Sequence, residues 1–114
     1  MVFYHKISAE LDVTVVSLFG ELIDKNQANE LNSEIDNLLL ERKLKYVFDL
    51  GELKYMNSSG LNTLINLLTK ARKQGGEVII ANVSKKVNEL LVITKLNTLF
   101  TVTESVDKAI PKLK

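Results

Sequence analysis

The chain has no cysteine and no tryptophan, and its 114 residues include a single proline, a single histidine and five glycines. Without cysteine there is no disulfide and no thiolate metal site. One imidazole, His5, is too few for a zinc or copper centre, so no metal and no cofactor are expected. No apolar run approaches the roughly 18 residues that a membrane-spanning helix needs. The first residues, Met1-Val2-Phe3-Tyr4-His5-Lys6, lack the basic-then-apolar build of a signal peptide. A soluble, cytoplasmic protein with no membrane insertion is therefore expected. An excess of one charge is lacking too. The 15 basic and 14 acidic residues leave one net positive charge, whereas nucleic-acid-binding domains carry a concentrated basic face. Nucleic acid is not expected among the partners.

Hydrophobic residues make up 46% and charged residues 25%, an ordinary globular balance. With no repeat, linker or low-complexity tract, one domain over residues 1–114 is expected. Periodicity sorts the elements. The β-branched and aromatic run Val13 to Phe19 predicts a strand, paired with Phe3 to Ala9 through a turn near Glu10-Leu11-Asp12. Gly20 then marks a break. Asp24 and Gln27 have capping-box spacing, followed by Ala28, Leu31, Ile35, Leu38 and Leu39 on one face of a helix to about Arg42. Tyr46 to Leu50 is apolar on both faces, as in a central strand. Leu61, Leu64, Ile65, Leu68 and Ala71 form the clearest helical stripe, which Gly75-Gly76 stops. Val78 to Ala81 predicts a fourth strand and Ser84 caps a third helix. Leu99 to Val102 predicts a fifth strand, and Val106, Ala109, Ile110 and Leu113 share one face of a last helix. The order β-β-α-β-α-β-α-β-α gives an α/β fold with a mixed sheet of about five strands and about four helices.

Between the third strand and its helix stands Asn57-Ser58-Ser59-Gly60. Taken alone it is a good helix cap, since Asn and Ser are favoured there and Gly permits close approach. The same first turn also offers free amides and a favourable dipole to an anion. A phosphate there would add about two negative charges to an exposed surface.

The whole pattern resembles the sulfate transporter and anti-sigma factor antagonist (STAS) domain family from end to end. The resemblance rests on the element order, on Val16-Ser17-Leu18-Phe19-Gly20-Glu21-Leu22 and Val47-Phe48-Asp49-Leu50, and on Tyr55-Met56-Asn57-Ser58-Ser59-Gly60-Leu61 followed by Gly75-Gly76-Glu77-Val78-Ile79. In that family the loop reads Asp-Ser/Thr-Ser/Ala-Gly, and the serine before the glycine is phosphorylated. Ser59 matches it, while Asn57 stands where the family has Asp. Gly20-Glu21-Leu22-Ile23-Asp24 is one residue longer than the family's Gly-x-Leu/Ile-Asp, so Asp24 reads as a helix cap. The resemblance implies a single STAS-like domain acting by partner switching. The unphosphorylated antagonist binds an anti-sigma factor that is also a serine kinase; phosphorylation ends the complex and a serine phosphatase resets it. It implies Ser59 as phosphoacceptor, Asn57, Ser58 and Gly60 as the loop, and Leu61, Asn62 and Thr63 as first-turn partner contacts. A second reading keeps the same fold as a constitutive subunit, for example of a lipid-transport ATPase, with no phosphate.

Catalysis is not expected. His5 reads as a surface or edge residue, and no Gly-x-Ser-x-Gly elbow or orienting acid accompanies the serines. Asp49 reads as a turn or cap partner. Lys70, Arg72 and Lys73 read as a complemented helix C-terminus and Lys85-Lys86 as a solvated helix face, with docking of an acidic partner as the alternative for both clusters. Gly75-Gly76 lacks the Lys-Ser/Thr of a phosphate-cradling loop.

Overall fold

Alternating residues pair Phe3–Glu10 (β1) with Val13–Leu22 (β2) antiparallel, from Phe3 opposite Gly20 to Glu10 opposite Val13. The computed structural model describes residues 2–95, 98 and 100–113. After β2, Lys25–Ala28 forms one 3-10 turn and Asn29–Leu40 the helix α1. Lys45–Met56 (β3), Ser58–Lys73 (α2), Glu77–Ala81 (β4) and Lys85–Ile93 (α3) follow. Thr101–Thr103 is β5, Val106–Ala109 is α4, and Ile110–Leu113 continues as 3-10 helix. The five strands lie in sequence order, with β2 through β5 parallel. This is the expected mixed α/β sheet, with four α-helices among the described residues.

One sheet face carries the larger core. Val16, Leu18 and Phe48 meet Leu31 and Ile35 of α1, Leu64, Leu67 and Leu68 of α2, and Val87 and Leu91 of α3. On the other face Val13, Val15, Val47 and Ile79 pack against Ala109, Ile110 and Leu113. That last segment changes from α to 3-10 at Ile110, just before Pro111, which has no amide to donate into an α-helical ladder.

Three boundaries differ from the sequence expectation. Gly20 does not end β2: at φ 90 it forms an irregularity within the strand, which continues to Leu22. Only glycine fits there, because a Cβ would lie 2.0 Å from the Val2 carbonyl oxygen. Its partner β3 likewise runs past Leu50, ending with Met56 beside Leu22. The fifth strand starts at Thr101; Leu99, expected as its first residue, lies outside the described residues.

Tyr46 is fully buried, and its hydroxyl has no hydrogen-bond partner among the described residues. Burial pushes its pKa from 10.0 up to about 12. The folded state then holds a proton that the unfolded state releases, so stability must fall as pH rises through that interval. We expect roughly 2 kcal/mol to be lost between about pH 10 and 12. In Tyr46→Phe this part of the alkaline loss should vanish, with stability at neutral pH unchanged or slightly higher, because an unpaired polar group leaves the core. Urea midpoints measured against pH test both statements.

Candidate functional site

Because β3 extends to Met56, α2 starts at the end of the sheet and directly beside the end of β2. Asn57 is its N-cap, and the side chain uses both polar atoms. Its Oδ1 accepts from the Gly60 amide at 2.8 Å, and its Nδ2 donates to the Ile23 carbonyl at 3.2 Å. The loop holding Ile23 is itself braced. Gln27 Oε1 accepts from the amides of Ile23 and Asp24 at 2.8 and 3.0 Å, and its Nε2 donates to the Glu21 carbonyl at 3.2 Å. Asp24 Oδ1 accepts from the Asn26 amide at 2.9 Å, so Asp24 and Gln27 form the expected capping box. The two loops at this end of the sheet thus form one hydrogen-bonded unit.

On that frame Ser58, Ser59 and Asn62 are exposed. Gly60 is buried against Leu22, and a Cβ on it would lie 1.8 Å from the Leu22 carbonyl oxygen. Leu61 and Thr63, read from the sequence as partner contacts, turn inward and are 8% and 5% exposed. Leu61 joins the helix-side core, and the Thr63 hydroxyl donates to the Ser59 carbonyl at 2.9 Å. The inward stripe of Leu64, Leu67 and Leu68 fixes the rotation of α2, and Leu61 lies on its N-terminal continuation. The surface offered outward is therefore Ser58, Ser59 and Asn62.

Other sequence candidates fall away from this site. His5 lies on the edge strand, and its Nε2 meets a Glu34 carboxylate oxygen of α1 at 2.9 Å. Asp49 Oδ1 accepts from the Gly51 amide at 2.9 Å and from Asn82 Nδ2 at 3.1 Å, tying β3 to the end of β4. Lys70 does more than complement a helix end. Its ammonium reaches Asp36 at 2.9 Å and Asn32 Oδ1 at 2.8 Å, clasping α2 to α1. The Arg72 guanidinium sits over the Phe100 ring, 5.4 Å from its centroid. Sequence reasoning missed the Asn57–Ile23 bridge. The capping box flagged the neighbouring turn, but no local pattern reports a bond across 34 residues.

The family model of the STAS domain matches residues 5–109. The chain belongs to the STAS domain family. An anti-sigma F factor antagonist of Paenibacillus polymyxa is 26% identical over 103 residues, which cover 90% of this chain and 87% of that one. The STAS fold here superposes on the crystal structure of an anti-sigma factor antagonist from Mycobacterium paratuberculosis with a TM-score of 0.82. That match has 23% identity and covers 98% of this chain and 94% of the other. The Bacillus cell fate determinant SpoIIAA in its phosphorylated form gives a TM-score of 0.75 at 17% identity, covering 97% of this chain and all of that one.

Within this STAS domain, the two bonds of Asn57 set an expected order of stability. Asn57→Ala removes the cap and the bridge, at about 2 kcal/mol together. Asn57→Asp keeps the capping oxygen and places a charge where the dipole favours it, yet turns an acceptor towards the Ile23 carbonyl. A loss of about 1 kcal/mol is expected for it. Urea midpoints of the three proteins test this order, and an Asn57→Asp midpoint at or above that of the wild type would overturn it.

Proposed function

We propose that this STAS domain, spanning residues 1–114 as one unit, is an anti-sigma factor antagonist that works by partner switching in the cytoplasm. It is a binding protein rather than an enzyme. Unphosphorylated, it binds an anti-sigma factor that is also a serine kinase. Phosphate on Ser59 ends that complex, and a serine phosphatase restores it. The observation that carries this reading is Ser59 itself, exposed in the first turn of a helix whose start is braced on two sides. A phosphate there meets a helix amino terminus, so the fold tolerates it, while any partner seated on the surface meets about two new negative charges. The reading is supported by the relatives, which are anti-sigma factor antagonists, and by a phosphorylated form known for one protein of this fold.

Asn57 favours one other reading. An amide that locks the loop to Ile23 suits a constitutive docking surface, as in a subunit of a lipid-transport ATPase or another assembly. Phosphosite mapping of the protein taken from its own cells, growing and stressed, separates the two. Phosphate on Ser59 whose occupancy changes with condition is the expected result. A chain unmodified in every condition would remove the switch and leave the docking subunit.

A further inference from the structure

The two edges of the sheet are built differently. On one side β5 is three residues long. On the other, β1 runs for eight residues without proline and pairs with β2 without a register break. Alternate residues of β1 turn their amide and carbonyl groups away from β2, where no strand among the described residues receives them. Edges that stay unpaired are blunted by shortness, proline, a bulge or an isolated charge. β1 has none of the first three, and Ser8, Ala9 and Glu10 are exposed in succession. Lys6 is the fourth device only if nothing of opposite charge meets it.

The charges of this strand decide what it accepts. Lys6, Ser8 and Glu10 are exposed on one face, opposite Ser17, Val15 and Val13 of β2. Neither charge has a counter-charge across the hairpin, and neither forms an ion pair among the described residues. A second copy pairing antiparallel along this edge is related to the first by a two-fold axis. Outward-turned residues must face outward-turned residues, so one residue of β1 stands opposite its own copy. With Lys6 at the axis, lysine opposes lysine, which is unfavourable. With His5 or Ile7 there, Lys6 meets only Tyr4 or Ser8. With Ser8 at the axis, Lys6 of each copy stands opposite Glu10 of the other, and Ile7 opposite Ala9. That register alone pairs the opposite charges, and it does so twice.

We propose that β1 is a homodimerisation edge, in which two copies pair antiparallel from Lys6 to Glu10 about Ser8 and join their sheets into one. Backbone hydrogen bonds carry the contact. The two Lys6–Glu10 pairs select register and partner, since exposed ion pairs add little strength. The contact is small, so the dimer is reversible. It leaves the serine turn free. Ser8 pairs with Val15 early in β2, whereas Ser59 follows Met56, which stands beside Leu22 at the end of that strand. The two Ser59 turns lie at opposite outer ends of the joint sheet, and the dimer is bivalent towards whatever binds them.

Sedimentation velocity of the full chain, from roughly 10 µM to 1 mM, should show a reversible monomer–dimer equilibrium. Lys6→Glu and Glu10→Lys each set two like-charged pairs across the axis and should weaken the dimer about tenfold or more. Mixed together, the two variants meet with opposite charges at both positions, so a heterodimer should form where neither dimerises alone. Both positions are exposed, and circular dichroism checks that each variant keeps the fold. The chain has no cysteine, so Ser8→Cys should yield one disulfide-linked dimer on mild oxidation. Lys6→Cys, which would face Glu10, should not. A chain that stays monomeric at every concentration overturns the proposal. So does a dimer that the single substitutions leave intact, or a mixture of the two variants that fails to associate, since the contact would then lie elsewhere or in another register. None of these outcomes depends on whether Ser59 is phosphorylated.

Discussion

Gly60→Ala is expected to lower the melting temperature by roughly 10 °C or more. The added Cβ would lie 1.8 Å from the Leu22 carbonyl oxygen, 2.7 Å from its carbon and 3.0 Å from Met56 Cγ. Met56 could rotate away, but the Leu22 carbonyl is backbone at the paired end of β2 and cannot. The start of α2 must lift off the sheet, stretching the Asn57–Ile23 bond and opening the contact between Leu61 and the core. Overpacking against backbone at a buried position costs roughly 3 kcal/mol or more. For about a hundred residues, each kcal/mol is worth about 4 °C. Gly75→Ala is the control. There no atom lies within 4 Å of the added carbon, and only the left-handed φ of 89 is strained, so a loss of roughly 1 kcal/mol is expected. Scanning calorimetry on both variants separates a steric clash from conformational strain; similar losses in the two would mean that the close approach at Leu22 does not matter.

Ser59→Asp is expected to weaken binding to the anti-sigma partner by about a hundredfold, while Ser59→Ala binds at least as well as the wild type. Both substitutions lie at an exposed first-turn position of α2 and leave the cap of Asn57 in place. Neither should change stability by more than about 0.5 kcal/mol, and the aspartate meets a favourable dipole. A difference in affinity then reflects the interface and not the fold. One negative charge forced against a complementary surface costs several kcal/mol at most, and a factor of a hundred corresponds to about 2.7 kcal/mol. Phosphate carries about twice that charge. It can approach the roughly 5.5 kcal/mol needed to move a complex from nearly all bound to nearly all free. Isothermal titration of both variants with the purified partner gives the comparison directly. Matching dissociation constants would remove Ser59 as the switch.

The sequence by itself determined the order of elements, the mixed sheet and the caps. Asp24 with Gln27, Asn57 and Ser84 each bond to an amide within three residues, and such contacts are written in local spacing. The candidate serines were legible for the same reason, as small polar residues between a buried strand and a strongly periodic helix. The tertiary structure alone decided four things. It carried β2 through Gly20, which pairs with Leu53, and β3 past Gly51, where the register shifts before pairing resumes with Glu52 opposite Phe19. It joined Asn57 to Ile23 and Lys70 to Asp36. It turned Leu61 and Thr63 inward, leaving Asn62 with the serines outside. It also set α3 beside the end of β3, creating a groove that no segment forms alone. These features share one physical cause. They depend on contacts between residues tens of positions apart, which form only when the strands close their register and the helices pack on the sheet.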